Sequence, residues 1–459
     1  MGWVLRLVES GADGSSDSVD VLEIERPGDL GDLADLGLTH AEGKQLLTRV
    51  QQAVVAAQSR DHAARRPACR TCGAACQLKD YRPHQIATVF GPVTVRLPRF
   101  RCAGCDRAEA GIGWPAHCRS TPELDQLRAQ YAAFLPYRVA AGVLEHLLPV
   151  GAGLTHETLR AHTLKLGAEL VDTAAAEPAA VAAAITLTVD STYIRSCEDG
   201  QRHLEVRLGN VETATGTRQV FAAVARTDTR TDTRIEALIR RSLQEVGQTA
   251  DTTLTAFTDG CPGLRAILAE AGVAEPPFLD WFHIAMRLEH AEKTAGSLPG
   301  DTPEQARAKA VIVAEVDRLH WRIWHGKASD AQITLERLRE LMPAFQGERG
   351  RGARSPSSRR LWTALHEIDR YLSSQSAWLV NYAERHHAGQ RVGTAITEGT
   401  ANFLVNRRMN KEQQMRWSRR GADLLLQVRC AVINGKLGSG FGQLFKTEAD
   451  PASDLAIAA

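Results

Sequence analysis

No apolar run in this chain approaches the roughly 20 residues that a membrane span needs. The longest, such as Ala179 to Ala184, are short and alanine-rich. The N-terminus has no basic stretch followed by an apolar core, so no secretory leader is expected and the expected location is the cytoplasm. An excess of charge is missing too: 55 Lys and Arg stand against 54 Asp and Glu. Total charge therefore does not point to nucleic acid, but its distribution does. Residues 1–40 carry Arg6 and Arg26 against nine acids. Residues 401–440 carry Arg407, Arg408, Lys411, Arg416, Arg419, Arg420, Arg429 and Lys436 against Glu412 and Asp423. One end repels phosphate and the other attracts it. A disulfide framework is the last absence. The nine cysteines are an odd number, and five of them crowd between Cys69 and Cys105. That crowding favours metal ligation.

The 459 residues imply three or four folded units. Residues 1–38 are acidic, include the Gly/Ser/Asp tract Gly11 to Ser18, and read as mostly flexible. From Thr39 to Gln58 the spacing of Leu46, Leu47, Val50, Val54 and Val55 predicts a helix, with Thr39 and Glu42 as a capping box. Ile86 to Phe90 and Val93 to Phe100 predict a hairpin joined at Gly91-Pro92. Three helices follow. Leu124, Leu127, Tyr131 and Phe134 mark the first, Val139, Val143, Leu144, Leu147 and Leu148 the second, and Leu159, Leu166 and Leu170 the third, capped by Thr155. Strands are predicted at Ile185 to Ile194, Leu204 to Val211, Gln219 to Ala225, Leu254 to Phe257 and Pro277 to Phe282. Helices at Arg234 to Val246 and Gly263 to Ala271 separate the later ones. This order predicts an α/β mixed sheet with helices packed on it. Residues 284–397 read as helical, with Trp321, Trp324, Trp362 and Trp378 as core residues and a loop from Gly347 to Arg360. Further helices are expected at Gly399 to Met409 and Gly421 to Asn434.

Three acids stand out. Asp190 sits inside an apolar strand, where an unpartnered carboxylate is costly. Asp259 follows the strand Ala256-Phe257-Thr258 and precedes Gly260 and a helix, the position at which open α/β sheets place ligands. There it can reach a metal beside Asp190. Glu398 opens a helix that carries Asn402 and Asn406 on the same face. Each acid alone is equally at home as a turn, cap or dipole-stabilising residue.

Cys69-x-x-Cys72 and Cys102-x-x-Cys105 are two thiolate knuckles flanking the hairpin, a donor set for a tetrahedral structural Zn²⁺. Cys76 and Cys118 remain substitutes for one ligand. Arg96, Arg99, Arg101 and Arg107 lie alongside. Residues 138–166 resemble a helix-turn-helix whose second helix would present Thr155, His156, Thr158 and Arg160 to a major groove; a helical packing unit without DNA contact is the alternative. Arg407, Arg408, Lys411, Arg416, Arg419 and Arg420, with Trp417, read as a phosphate-tracking surface.

Two strand aspartates and a glutamate beyond a long helical segment form the layout of the RNase H-like nucleotidyl transferases. The stretches Val189 to Tyr193, Leu279 to Arg287 and Gln413 to Ala422 resemble bacterial insertion-sequence DDE transposases of the ISKra type, which are similar to the Mutator-like transposase superfamily. The resemblance runs from about Cys69 to Leu437. It implies that Asp190, Asp259 and Glu398 hold two Mg²⁺ (or Mn²⁺) ions about 3.5–4 Å apart, one activating the attacking oxygen and one the leaving oxygen. Asp280 and His283 match an Asp-x-x-His element of the superfamily, with His283 in a supporting role. Related families often carry asparagines before the glutamate. Ala395-Ile396-Thr397 stand there instead, and Glu384 and Glu412 remain alternative third acids.

The expected organisation is a multi-domain α/β protein. An acidic segment plus helix (1–60) precedes a zinc ribbon (61–118), a helical DNA-binding module (119–172) and a linker (173–184). An RNase H-like core (185–283) is interrupted by a helical insertion (284–390), resumes with helices that carry Glu398 (391–437) and ends in a tail (438–459). The implied enzyme is a transposase that cleaves and joins double-stranded DNA at its element's terminal repeats and target, as a homodimer or higher oligomer with no membrane partner. A zinc-containing DNA-binding protein with an inert core, or a nuclease without strand joining, fits the same residues.

Overall fold

The computed structural model describes residues 1–10, 16–28, 31–33, 36–64, 66–109, 119–149, 155–172, 180–226, 233–345, 356–393, 399–410 and 415–437. The chain divides into two compact units, Met1–Leu170 with Gly435–Ala459, and Val171–Asn434. No helix among the described residues is long and apolar enough to cross a membrane.

The first unit opens with strands, where the acidic composition predicted a flexible segment. β1 (Gly2–Ser10) pairs antiparallel with β2 (Ser16–Glu25). Trp3, Leu5 and Leu7 lie opposite Ile24, Leu22 and Val19, so the alternation builds one apolar face. The acids that dominate the composition lie between these residues and find cations: Asp20 pairs with Arg6, and Glu9 with Arg60. Helix α1 (His40–Ala64) begins at the expected capping box. The Glu42 amide donates to Thr39 Oγ1 at 3.2 Å, and the Thr39 amide donates to Glu42 Oε2 at 2.8 Å.

Strands β3 (Cys76–Thr88), β4 (Gly91–Cys102) and β5 (Ala108–Glu109) form an antiparallel sheet. Thr88 pairs with Gly91, so the turn is Val89-Phe90, two residues earlier than expected. Gly91 has a φ of 107° and starts the second strand. Helices α2 (Pro122–Phe134), α3 (Tyr137–Leu147) and α4 (His156–Asp172) follow. Leu124, Ala132, Ala140, Leu144 and Leu159 form their shared core. Val139 and Leu147, expected inside α3, are half exposed, because the inner face is set by Ala140, Ala141 and Leu144. A one-residue offset turns a helix by about 100°, enough to exchange the faces.

The second unit is a mixed α/β structure. Its strands are β6 (Ala184–Arg195), β7 (His203–Thr213), β8 (Arg218–Val224), β9 (Thr253–Thr258) and β10 (Phe278–Leu279). They lie in the order β10-β9-β6-β7-β8. β7 is antiparallel to β6 and β8, whereas β9 and β10 run parallel to β6. Helices α5 (Thr233–Glu245) and α6 (Pro262–Glu270) pack on Leu187 and Val189 through Ile235, Ile239, Leu264 and Ile267. Elsewhere Leu204, Val206 and Leu208 of β7 meet the π-helical segment Asn402–Asn410 and α12 (Arg419–Ile433), through Leu404, Val405, Leu425 and Leu426.

β10 is shorter than predicted. Asp280 caps helix α7 (Trp281–Gly296) by accepting from the Phe282 amide at 2.9 Å, which ends the strand. Helices α8 (Pro303–Trp324), α9 (Ala328–Leu341), α10 (Pro356–Gln375) and α11 (Tyr382–His387) join α7 around a separate apolar core. Trp324, Trp362 and Trp378 pack against that core. Trp321 does not. It is half exposed and stacks on His325.

Candidate functional site

The register of the second unit's parallel strands brings three aspartates to one level. Val189 of β6 pairs with Thr258 of β9, and Thr258 pairs with Leu279 of β10. The next residues on these strands are Asp190, Asp259 and Asp280. Asp190 Oδ1 accepts from the Ser191 amide at 2.7 Å. Asp259 Oδ1 accepts from the Cys261 amide at 2.8 Å, which fixes the carboxylate at the mouth of the strand-to-helix turn. Asp280 is buried and capped onto α7. One turn into α7, His283 Nε2 lies 3.7 Å from Asp190 Oδ2 and 3.7 Å from Asp280 Oδ2. Burial opposes protonation of His283, but the carboxylates of Asp190, Asp280 and Asp259 outweigh it and raise its pKa.

The site therefore gathers Asp190, Asp259, Asp280 and His283. Glu398 lies outside the described residues, as does Glu412. On one side of Glu398, the Trp281 amide donates to Val392 O at 3.1 Å, and a Cβ on Gly393 would fall 2.7 Å from Asp280 Oδ1. On the other side, Thr400 Oγ1 donates to Asn210 Oδ1 at 3.0 Å, on the strand beside Thr188. Glu384, the other alternative third acid, sits in the first turn of α11.

The helices after α7 grip the backbone beneath the acids. Tyr371 Oη donates to Asp259 O at 3.1 Å, Gln375 Nε2 to Gly260 O at 2.9 Å and Tyr382 Oη to Leu279 O at 3.0 Å. Burial raises the pKa of both tyrosines, which keeps them neutral donors. Gly260, with a φ of 91°, has no room for a side chain, since a Cβ would meet Leu279 Cδ2 at 2.9 Å. No local pattern announces these three supports, because each acts across more than a hundred residues.

In the first unit Cys69, Cys72, Cys102 and Cys105 bring their sulfurs within 4.8 Å of one another, a possible metal site. The two knuckles have matching backbones. The Gly73 amide donates to Cys69 O at 2.9 Å and the Asp106 amide to Cys102 O at 3.0 Å. The Cys69 amide donates to Ala74 O at 2.8 Å and the Cys102 amide to Arg107 O at 2.9 Å. Gly73 and Asp106 both adopt positive φ, 73° and 57°. Backbone hydrogen bonding around Cys105, with the Cys72 thiol, holds the Cys102 thiol at about 7. A hydrogen bond with Cys72, with burial, pushes Cys105 up to about 12. Four crowded thiols cannot all ionise unless a cation offsets their repulsion. Cys76 is buried opposite Cys102 in the sheet and is not one of the four converging sulfurs. Cys118 lies outside the described residues.

The basic candidates divide. Arg407, Arg416 and Arg420 are exposed, and Lys411 lies outside the described residues. Arg408 is buried beside Trp417 and is not part of a phosphate surface. Trp417 is buried as well, its Nε1 donating to Met409 O at 3.0 Å. Arg419 is held by Gln201 Oε1 at 2.9 Å and by Glu198 and Ala225 O. In the first unit Thr155 caps α4 by accepting from the Thr158 amide at 3.2 Å, so its hydroxyl is engaged locally. Arg160 is exposed on α4, and His156 is tied to Glu157 at 2.6 Å.

No protein-family model matches the chain, and no curated protein matches it.

Proposed function

We propose that this chain is a metal-dependent DNA-cleaving and strand-joining enzyme of the insertion-sequence transposase kind. One observation carries the reading: the register that sets Asp190 beside Asp259 on parallel neighbours β6 and β9. The strand order β10-β9-β6-β7-β8, with β7 alone running against the other four, supports an RNase H-like core. Carboxylate oxygens fit hard divalent cations, so Asp190, Asp259 and Glu398 would hold two Mg²⁺ or Mn²⁺ ions. When bound, such ions activate an attacking oxygen and stabilise a leaving oxygen in phosphodiester transfer. The chain's own part is positional. Asp280 fixes the start of α7 and so aims His283 at the acids, where it can meet a non-bridging phosphate oxygen. Tyr371, Gln375 and Tyr382 hold the strand ends that carry the acids.

The first unit completes the proposal. Its cysteine cluster suits a structural Zn²⁺ in a ribbon, because four thiolates give the closed tetrahedral shell of non-catalytic zinc. Exposed Arg160, Arg407, Arg416 and Arg420 suit phosphate contact with double-stranded DNA. Joining two element ends calls for at least a homodimer, and a cytoplasmic setting follows from the substrate.

The test is Mg²⁺- or Mn²⁺-dependent nicking and joining of DNA that flanks the chain's own gene. The expected result is cleaved and joined product from the parent chain and neither from Asp190→Asn or Asp259→Asn. Cleavage that survives both substitutions would overturn the site. Cleavage without joined product would make the protein a nuclease, and binding without cleavage an inert DNA-binding protein.

A further inference from the structure

Two arginines beside the acid site rest on aromatic rings rather than in ion pairs. Arg265 stands on α6, six residues after Asp259, and lies flat on Trp378 with its Cζ 3.5 Å from the ring centroid. Its Nε and Nη2 are buried without a hydrogen-bond partner. Arg287, one turn along α7 from His283, stacks on Tyr371 with its Cζ 4.5 Å from the ring centroid, and donates from Nη1 to His283 O at 2.8 Å. Tyr371 is the residue whose hydroxyl holds Asp259 O. Each guanidinium is thus seated on its own aromatic ring near the strand-end acids, Arg265 on Trp378 and Arg287 on Tyr371. Neither forms an ion pair among the described residues, although Arg99, Arg128, Arg234 and Arg339 each do.

Burial of part of the Arg265 guanidinium costs free energy, and stacking on an aromatic ring recovers only part of it. Stacking also fixes the plane of each guanidinium, so that its accessible N–H donors are held in place for an anion.

We propose that Arg265 and Arg287 bind the phosphodiester next to the scissile one and so set the register of the strand in the acid site. The inference rests on the reading of the acids given above. Its test is fluorescence-anisotropy binding of a labelled duplex from the chain's own flanking DNA, across a salt series without added Mg²⁺, for Asp190→Asn alone and with Arg265→Gln or Arg287→Gln. Each arginine substitution is expected to weaken binding roughly tenfold, the worth of one charged hydrogen bond. Each should also lower the slope of log K against log salt by about 0.9, one phosphate's worth. In the parent background each should slow metal-dependent cleavage. Weakened binding at an unchanged slope would mean a merely structural role and would overturn the proposal, as would an unchanged affinity. If Arg265→Gln does not fold, Arg287→Gln and the charge-conserving Arg265→Lys decide, the latter keeping the slope while losing affinity. Cleavage that persists in Asp190→Asn would strike the acid assignment instead, and the salt slopes would still be read separately.

Discussion

The four cysteines fall between Cys69 and Cys105, on one hairpin and the two turns that flank it, whereas Asp190, Asp259 and Asp280 come from three strands separated by helices. The cysteine knuckles repeat the same amide pattern and the same positive φ, so each is shaped by its own few residues. The acid site has no such autonomy. Its strand ends are tied by Tyr371, Gln375 and Tyr382 from helices that follow much later. A soft-donor site can be written into a short sequence, because a CxxC turn presents both sulfurs by itself. An oxygen-donor site at a sheet's edge needs the sheet first.

The sharpest way to break this comparison is to test the proposed zinc at the cysteine site. Structural zinc contributes on the order of 10 kcal/mol to small sites of this kind. Chelation or Cys102→Ser should release one zinc per chain and open residues 69–105 to protease. A chain that contains no zinc yet keeps that segment protected would end the zinc reading.

At the acid site the expected effect falls on rate. Asp259→Asn keeps an oxygen that can accept from the Cys261 amide, so the turn survives. On the proposed function, loss of the carboxylate charge should cost about 4 kcal/mol of transition-state stabilisation, roughly a thousandfold in cleavage. A tenfold loss or less in single-turnover cleavage would remove Asp259 from the centre.

A third experiment probes assembly in the same unit. Buried Asp423 of α12 accepts from the Val224 amide at 3.1 Å and pairs with Arg234, joining a helix, a strand and α5. Asp423→Ala leaves the buried Val224 amide without its acceptor and the partly exposed Arg234 without its partner, and should cost about 3 kcal/mol in denaturant unfolding. A loss under about 1 kcal/mol would show that this long-range tie does not hold the unit together.

The smallest effect belongs to the local capping box of the first unit. Thr39→Ala should lower stability by about 1 kcal/mol. Arg26, with help from Thr39, holds the Glu42 carboxyl at about 2, below its ordinary 4.5. A depressed carboxyl stabilises the fold above its unfolded value. That contribution should fade as pH falls from 4.5 toward 2, and it should be absent in Glu42→Gln. Parallel acid melting curves for the two chains would contradict this.

Local chemistry was legible wherever a motif and its effect share a few residues. Thr39 and Glu42 cap α1, and Cys69, Cys72, Cys102 and Cys105 converge as spaced. The strands of β6, β7, β8 and β9 appeared in their expected places because period-2 alternation reports a half-buried surface directly. Composition misled at β1 and β2, where the acids are real but alternate with apolar residues, of which Val21, Leu22 and Ile24 are buried. Helix faces were read a residue out at Val139 and Leu147, because several apolar stripes were available on α3 and only packing selects one.

Sequence alone determined which residues could carry chemistry: paired cysteines, strand-end aspartates and a basic C-terminal stretch. Tertiary structure decided which of them meet. It set Asp280, until then one half of an Asp-x-x-His element, level with the strand-end aspartates through the parallel register of β9 and β10, and it withdrew Arg408 and Trp417 into the core. The physical reason is the same in both directions. A side chain's type fixes what it can bind, but its environment is set by neighbours distant in the chain, and only the folded sheet and its helices supply them.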